Sequence, residues 1–477
     1  MTTSTTQSRR ERLNRLLNPK TVVVVGSKKA DEYNWLKNMS TFTGNLYSVQ
    51  VDPNEIPGIE ELGFKNFTSM KDIPEPIDFI LCAVPRNVAP RIVKDAIDVN
   101  AAGIILYTSG FAETGSEDGV RLQDTIVAMA KEADLMLVGP NCMGLFNSKL
   151  GVRFGQEQVA GQNGHVTFLS QSGSQGSGFS AEANAQGVEI NKVLSFGNGV
   201  VLDSPDYLEY FADDPDTRVI ALYLEGTRDG QRLFKSLRAA ARRKPIIVWK
   251  GGRTPDSARA TRSHTASLAV PAAMWETLVK QTGVISTQGI EETVDMCKAL
   301  LHTKPFTGTR LGLIATAGGH SVEIADAFSS EGLNVPALTE ASYERLATFF
   351  NDIGGSFRNP LEGGGNLASE EKVSDILGIL EEDANIDAIV VEMGAFGRRD
   401  PGILERRIQT LKTFKETTKK PLWACWGGLF RIDPDVQKDT TTKLQEAGVP
   451  IFGSIYRAAK TMGRLHSYSV WQQEQNK

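Results

Sequence analysis

Residues 165–183, HVTFLSQSGSQGSGFSAEA, determine the fold class of this chain. An apolar run, a turn of small residues and an amphipathic stretch follow one another, which is the pattern of a strand, a turn and a helix. Residues 310–328, RLGLIATAGGHSVEIADAF, repeat this pattern. Strands that are apolar throughout are typical of parallel sheets with crossover helices. Because comparable strands, GVIST and GVPIF, close both regions, the sequence predicts two domains of one flavodoxin-like type.

Apolar, β-branched runs such as TVVVV, DFILCAV and AGIILY continue the α/β pattern towards the N-terminus. Two stretches without helical periodicity, residues 151–164 and 302–309, are rich in Gly, Pro or polar residues and are interpreted as linkers. They divide the chain into three predicted α/β domains, at residues 1–150, 163–303 and 309–466. Helices are predicted over, among others, residues 88–99, 119–133, 174–187, 230–243, 321–330 and 404–417.

The composition excludes several classes of function. The 477 residues are 40% hydrophobic and 23% charged, and a net charge of -5 sets up no field that would attract nucleic acid. Four cysteines without CxxC spacing indicate neither a zinc site nor a disulfide framework, which fits a reducing cytoplasm. No apolar run approaches the about 20 residues of a membrane span, and the N-terminus lacks the apolar region of a signal peptide. We therefore expect a cytoplasmic protein without a metal centre.

The turn after the first strand, GSKKADEYNW at residues 26–35, contains a glycine that permits a phosphate to approach the backbone. Gly26 either binds a ligand or simply makes a tight turn. A nicotinamide site is not favoured, although Asp52 lies where a ribose-binding acid would, because the other glycines of that fingerprint are missing. Later strands end in LCAVPRN, YTSGFAETG and VGPNCMGLFN, where a pantetheine or nucleotide group could bind.

In the second domain, Ser172, Gly173 and Ser174 lead from a strand into a helix. Free N–H groups at a helix start favour an anion, but Ser172 could equally be an ordinary helix cap. A nucleophilic serine is excluded, because the glycine two residues before it is missing. Gly318 and Gly319 form a second such start, so two helix N-termini could face one phosphate.

His264 lies in the polar stretch RTPDSARATRSHTASLAV, residues 253–270. A histidine in a polar loop is usually solvated or a cap. However, Glu225 is the single acid at the carboxyl end of an otherwise apolar strand in the same domain. A carboxylate that accepts from one imidazole nitrogen leaves the other as a nucleophile, so His264 and Glu225 are a candidate pair for attack on a phosphoryl group.

These stretches together resemble the α subunit of the nucleoside-diphosphate-forming acyl-CoA synthetases, relatives of succinyl-CoA synthetase, from about residue 15 to residue 465. The motifs that carry the resemblance are SGFAETG, GPNCMGLFN, LSQSGS, SFGN, KPIIVWKGGRT, SHTASLA, TAGG and NPLE. The resemblance implies an α/β fold with a Rossmann-like CoA-binding domain, followed by two flavodoxin-like succinyl-CoA-synthetase domains. The first of these two would carry a phosphohistidine.

The resemblance also implies roles for individual residues. His264 matches the histidine that is transiently phosphorylated, and Glu225 the acid that orients it. The phosphate-binding residues would be Gln171, Ser172, Gly173, Ser174, Gly318 and Gly319. The CoA-binding residues would be Gly26, Ser27, Val84, Pro85, Ser109, Gly110, Glu113, Asn141 and Cys142.

The implied reaction interconverts an acyl-CoA, phosphate and ADP or GDP with a small carboxylic acid, CoA and ATP or GTP. The family's nucleotide site lies in an ATP-grasp unit, for which neither space nor motif is found here. The resemblance therefore implies a separate ATP-grasp β subunit, which would hold Mg²⁺ with the nucleotide, and a hetero-oligomer.

Three departures from the family pattern keep other functions open. The first turn lacks the usual Gly-Ala-Ser followed by a Pro-Gly-Lys-like stretch, Ala266 replaces a glycine, and NAGGPG becomes TAGGHS. The alternatives are a noncatalytic CoA-binding or scaffold protein, and an acyl- or carbamoyl-transferring relative that uses no nucleotide. His320, introduced by the third departure, is predicted to be a surface histidine rather than a second phosphate contact.

Overall fold

Three sheets of mainly parallel strands organise the computed structural model, which describes residues 2–257, 272–394, 402–428 and 433–475. Residues 1–184 and 189–290 form one compact unit, and residues 185–188 and 291–477 form the other. The first unit contains two of the sheets. The second unit contains the third sheet.

The first sheet has the strand order β3-β2-β1-β4-β5-β6, all parallel. This is the Rossmann order: β2 and β3 are added on one side of β1, and β4 to β6 on the other, so the strand order reverses between β1 and β4. Its central strands are fully buried because they are apolar on both faces. The elements are α1 (Thr2–Leu17), β1 (Thr21–Val25), α2 (Asn34–Asn38), β2 (Asn45–Val49), α3 (Ile56–Glu61), β3 (Lys65–Phe67), β4 (Phe79–Cys82), α4 (Ala89–Asp98), β5 (Gly103–Leu106), α5 (Glu117–Glu132) and β6 (Met136–Val138).

The second sheet has the order β12-β11-β10-β8-β9-β7. Strands β8 to β12 are parallel in the flavodoxin order 2-1-3-4-5, whereas β7 pairs antiparallel with β9 at the edge. The predicted first domain thus contributes its last strand to the second sheet. The elements are β7 (Gly144–Asn147), β8 (Val166–Ser170), α6 (Gly173–Ala185), β9 (Ile190–Ser195), α7 (Ser204–Phe211), β10 (Val219–Leu224), α8 (Gly230–Ala241), β11 (Ile246–Lys250), α9 (Ala272–Thr282) and β12 (Ile285–Thr287).

The third sheet, β14-β13-β15-β16-β17, repeats the flavodoxin order with parallel strands. The two flavodoxin-like sheets predicted from the opening sequence patterns are therefore confirmed. The elements are α10 (Ile290–His302), β13 (Leu311–Ala315), α11 (Gly318–Ser330), α12 (Glu340–Ala347), β14 (Leu361–Glu362), α13 (Glu370–Glu382), β15 (Ala388–Met393), α14 (Ile403–Thr417), β16 (Leu422–Trp426), α15 (Pro434–Glu446), β17 (Ile451–Phe452) and α16 (Ile455–Gln475).

The predicted helices agree with the observed ones, with the largest difference at the start of α11. That helix was predicted from Ser321 but begins at Gly318, because its first turn is built from two glycines that carry no apolar signal. Among the described residues, no helix is long and apolar enough to cross a membrane.

Candidate functional site

The turns after β1 and β4 lie in contact at the carboxyl edge of the first sheet. Gly26 adopts a φ of +92°, and a Cβ atom there would lie 2.8 Å from Val84 Cγ1 and 2.9 Å from the carbonyl oxygen of Ala83. Only glycine fits this close approach. The contact falls where the strand order reverses, which is the crevice in which open α/β sheets bind ligands.

Hydrogen bonds continue this row of turns across the sheet edge. Thr108 Oγ1 donates to the carbonyl oxygen of Val84, and the Asn141 N–H donates to the carbonyl oxygen of Thr108 at 3.0 Å. Arg86 Nη1 donates to the carbonyl oxygen of Gly110 at 2.6 Å. All the predicted CoA-binding residues therefore lie in or beside one row of turns: Gly26, Ser27, Val84, Pro85, Ser109, Gly110, Glu113, Asn141 and Cys142.

Glu113 joins this row to the second sheet. Its Oε1 atom accepts the N–H groups of Gly110 at 2.6 Å and Phe111 at 3.1 Å, and its Oε2 atom accepts Asn198 Nδ2 at 2.7 Å. Asn198 belongs to the turn after β9, in the same unit. Both carboxylate oxygens accept hydrogen bonds from the protein, so Glu113 connects the two turns. Its contact with CoA stays a prediction.

Two small polar side chains of the predicted CoA site, Ser27 and Cys142, are buried. Cys142 is 4% exposed, its Sγ atom donates to the carbonyl oxygen of Leu106 at 3.5 Å, and burial raises the pKa of its thiol. Ser27 is fully buried, and its Oγ atom has no hydrogen-bond partner within the described part of the chain. Ser27 rather than Cys142 is therefore the side chain with unused hydrogen-bonding capacity.

The start of α6 combines a cap with free donors. Ser172 Oγ accepts the N–H of Gln175 at 3.4 Å and contacts Ser174 Oγ at 3.0 Å, so the helix cap is present. The N–H groups of Gly173 and Ser174 have no partner among the described residues. The helix-cap interpretation is therefore confirmed. Because the cap leaves two donors and the positive end of the helix dipole available to an anion, phosphate binding at this segment stays a prediction.

Glu225 lies beside this helix start. Gln171 Oε1 accepts the N–H groups of both Glu225 and Gly226, and the Gln171 N–H donates to the carbonyl oxygen of Tyr223 at 3.2 Å. The Tyr223 hydroxyl donates to Glu225 Oε1 at 3.1 Å, and Glu225 is 5% exposed. β8 and β10 are neighbours at the reversal point of the second sheet, so the structure brings Glu225 beside Gln171, the residue before the start of the predicted phosphate-binding turn at Ser172.

Lys250 also belongs to this site, although it was not among the residues predicted from the sequence. It ends β11, is 4% exposed, and its Nζ atom donates to the carbonyl oxygens of Glu225, at 2.7 Å, and Gly251. Burial lowers the pKa of Lys250 to about 8 against the attraction of Glu225. Lys250 also lines a largely apolar cavity of about 380 Å³ together with Phe234 and Trp275. The signal in the sequence was a lysine at the end of an otherwise apolar strand.

The buried Lys250 predicts a specific pH dependence of stability. Between pH 8 and 10.5 the unfolded chain keeps a proton that the folded chain has lost, so this group makes the free energy of unfolding rise with pH over that interval. We expect Lys250→Met to remove this rise in the free energy of unfolding, which is of the order of 1–3 kcal/mol. Denaturant unfolding from pH 7 to 10.5 measures it. Lys235→Met, at an exposed lysine of α8, is the matched control, and equal slopes in both variants would contradict the prediction.

The start of α11 in the second unit differs from that of α6. No side chain caps it, and within the described residues the N–H groups of Gly318, Gly319 and His320 have no partner. His320 was predicted to lie on the surface, which is wrong. It is 9% exposed, because its Nδ1 atom is held against the buried carboxylate of Glu392 on β15.

His264, the predicted nucleophile, lies outside the described residues, which end at Ser257 before it and resume at Ala272. Its role and those of the other site residues stay predictions. Gln171 Oε1 connects β8 to β10, and contact of Gln171 with phosphate stays a prediction. Asn198, which appeared only as part of the SFGN motif, proves to link two sheet edges.

Two family models match the chain. A CoA binding domain matches residues 20–148, and a succinyl-CoA ligase like flavodoxin domain matches residues 163–300. The first match covers the row of turns around Gly26, and the second covers the site around Glu225. Fold and site together define a CoA-binding protein of the succinyl-CoA ligase type.

Relatives along the whole chain identify the family. The acetate–CoA ligase (ADP-forming) I subunit alpha of Pyrococcus furiosus is 30% identical over 96% of this chain and 98% of its own length. The acetate–CoA ligase (ADP-forming) I of Archaeoglobus fulgidus is 32% identical over 96% of this chain, which spans 64% of that longer protein. The chain belongs to the family of ADP-forming acetate–CoA ligases.

Solved structures agree with this assignment. The dinucleotide-forming acetyl-coenzyme A synthetase 1 of Ca. Korarchaeum cryptofilum, in complex with phosphate and ADP, superposes with a TM-score of 0.83 at 28% identity. The match covers 97% of this chain and 97% of that chain. PH0766 from Pyrococcus horikoshii superposes with a TM-score of 0.81 at 25% identity. Both matches include the third sheet, which neither family model covers.

Proposed function

We propose that this chain is the CoA- and phosphate-handling part of an ADP-forming acyl-CoA ligase, with a phosphohistidine at His264. The observation that carries the proposal is the connection made by Gln171. It ties Glu225, the expected partner of that histidine, to the helix start whose Gly173 and Ser174 N–H groups are free. Two unpartnered N–H donors and a carboxylate are thus held near each other at one sheet edge, which supports an anion site with an orienting carboxylate.

In the first step, a phosphate oxygen attacks the thioester carbonyl of an acyl-CoA. The C–S bond breaks, CoA leaves as the thiolate and takes up a proton, and an acyl phosphate forms. The row of turns from Gly26 to Asn141 would bind CoA along the edge of the first sheet. The start of α6 would hold the phosphate, whose negative charge its N–H donors stabilise.

In the second step, an imidazole nitrogen of His264 attacks the phosphorus atom. The P–O bond to the acyl group breaks, the carboxylic acid leaves as its anion, and phosphohistidine forms. Glu225 would accept from the other ring nitrogen, which fixes the tautomer and stabilises the positive charge that develops on the ring. Positioning and charge stabilisation dominate phosphoryl transfer, so few side chains are needed for this step.

The phosphoryl group would then pass to ADP on a partner. We propose a separate chain with an ATP-grasp unit, which binds the nucleotide and Mg²⁺, in a hetero-oligomer located in the cytoplasm. The support is that relatives of matching length are named as alpha subunits, whereas this chain spans 64% of a longer relative. Other relatives are named for acetate, for 4-hydroxybutyrate and for trans-feruloyl-CoA, so the family does not fix the acid.

The test is a labelling experiment on the tagged chain in an extract of its native host, with γ-labelled ATP. We expect acid-labile, alkali-stable label on the recovered chain, together with a co-purifying ATP-grasp protein. A known relative shows that the extract is competent. If the chain then carries no label but binds CoA, it is a CoA-binding protein. If it turns over acyl-CoA without any nucleotide, it is a transferase. Either result overturns the proposal.

A further inference from the structure

A second histidine–carboxylate pair lies in the third sheet, in a position like that expected of a ligand site. His320 is in the first turn of α11, which follows β13, and Glu392 is near the end of β15. β13 and β15 are neighbours at the reversal point of this sheet, where open α/β sheets bind ligands. The pair therefore has a place in its own sheet comparable to that of Glu225 in the second.

The carboxylate of this pair is held rigidly. Glu392 is fully buried, its Oε2 atom accepts the N–H of Thr316 at 2.7 Å, and its Oε1 atom accepts His320 Nδ1. A Cβ atom at Gly427, after β16, would lie 1.7 Å from Glu392 Oε1, so only a glycine leaves room for the carboxylate. Three neighbouring segments thus fix the orientation of the imidazole ring through one carboxylate.

The other ring nitrogen remains available. Nε2 of His320 has no hydrogen bond to any described residue, and 11% of the side chain is exposed. The adjacent N–H groups of Gly318, Gly319 and His320 itself are also unpartnered, and a Cβ atom at Gly319 would meet nothing within 4 Å. An oriented imidazole and three main-chain donors therefore border open space at one turn.

We propose that His320 binds phosphate in the third sheet, with Glu392 as its positioning residue; this inference rests on the proposed function. In the protonated ring, Nδ1 donates to Glu392 and Nε2 donates to a phosphate oxygen, either of inorganic phosphate or of the acyl phosphate. Charge-assisted hydrogen bonds of this kind are about twice as strong as neutral ones. No covalent step is assigned to His320.

A neighbouring carboxylate, Glu362, is expected to weaken phosphate binding, so its removal should have the opposite effect to the loss of His320. Glu362 at the end of β14 lies against the same turn, since a Cβ atom at Gly318 would be 2.9 Å from Glu362 Oε1. A carboxylate there repels an arriving phosphate. Removing its charge should strengthen phosphate binding, whereas loss of the His320 donor should weaken it.

The experiment is a titration of the full chain with inorganic phosphate, followed by NMR of ¹⁵N-labelled histidine rings. The five histidines make assignment by single substitution practical. His264→Asn is the background, which removes the expected phosphorylation site. We expect the His320 ring signals to move saturably, while those of His466, which contacts the carbonyl oxygen of Thr307, stay in place.

Two variants decide the outcome in the same background. Glu392→Gln should raise the apparent phosphate dissociation constant by about tenfold, the order expected for one charge-assisted hydrogen bond, and Glu362→Gln should lower it. His320→Asn, measured by calorimetry, gives the same information if Glu392→Gln does not fold. Unmoved His320 signals at saturating phosphate, equal movement of all histidines, or unchanged affinity in every variant would overturn the inference.

Failure of this inference is distinguishable from failure of the proposed function. Phosphate binding at His320 is measured without His264, and labelling of His264 is measured without reference to His320. In the reconstituted enzyme, His320→Asn should raise the KM for phosphate by about tenfold and leave the KM for CoA unchanged. A merely structural histidine would alter both constants or neither.

Discussion

His264→Asn is expected to abolish phosphoryl labelling of the chain and to reduce acyl-CoA formation by at least about a thousandfold. Asparagine has no ring nitrogen that can attack phosphorus, so the acyl phosphate cannot be converted to a phosphorylated protein. The first step does not use the histidine, so acyl phosphate should still form from acyl-CoA and phosphate. Its amount should not exceed one molecule for each molecule of bound acyl-CoA. Labelling with γ-labelled ATP and a coupled assay for free CoA, both with the partner present, measure the two effects.

The matched control for this prediction is His466→Asn. His466 is half-buried on α16 and its Nε2 atom contacts the carbonyl oxygen of Thr307, so its loss should leave labelling and turnover within about twofold of the parent. Label retained in His264→Asn at the level of the parent would assign the phosphoryl group to another residue. His320 would then be the first position to map by mass spectrometry.

The sheets could be predicted from the sequence because their strands are apolar on both faces. TVVVV, VTFLS and LGLIA are buried at every position, and the small-residue turns that follow them begin the next helices. The turns also placed the candidate ligand groups correctly at the carboxyl edges, since parallel strands all end at one side. Hydrophobic pattern and turn composition thus determine which residues can meet.

The sequence could not show which side chains contact each other across a sheet edge. The antiparallel pairing of β7 with β9 is not visible in GLFN, since a four-residue apolar strand has no direction of its own. His320 was predicted to be exposed because its helix turn reads as polar. Its burial depends on Glu392, 72 residues later, and on the absence of a side chain at Gly427. Contacts of this kind can be predicted only when the order of the strands in the sheet is known.

Glu225→Gln is expected to lower the rate of phosphohistidine formation by a factor of about 10² to 10⁴; the upper value is the loss seen when the carboxylate that orients a catalytic histidine is replaced by its amide. Glutamine keeps the size of the side chain and could still accept from the Tyr223 hydroxyl. It removes the negative charge that stabilises the ring as its nitrogen attacks, and its NH₂ group offers a donor where the imidazole N–H needs an acceptor. Rapid-quench labelling gives the rate.

The control for Glu225→Gln separates charge from packing. Tyr223→Phe deletes the hydroxyl that donates to Glu225 Oε1 at 3.1 Å but leaves the carboxylate, so it should slow phosphorylation by no more than about tenfold. The Gln171 bonds to the N–H groups of Glu225 and Gly226 are main-chain contacts and persist in both variants. A rate for Glu225→Gln as high as that for Tyr223→Phe would mean that the charge of Glu225 is not used. Because CoA is proposed to bind at the first sheet, its affinity should be unchanged in both variants, which would assign any loss of rate to phosphoryl transfer.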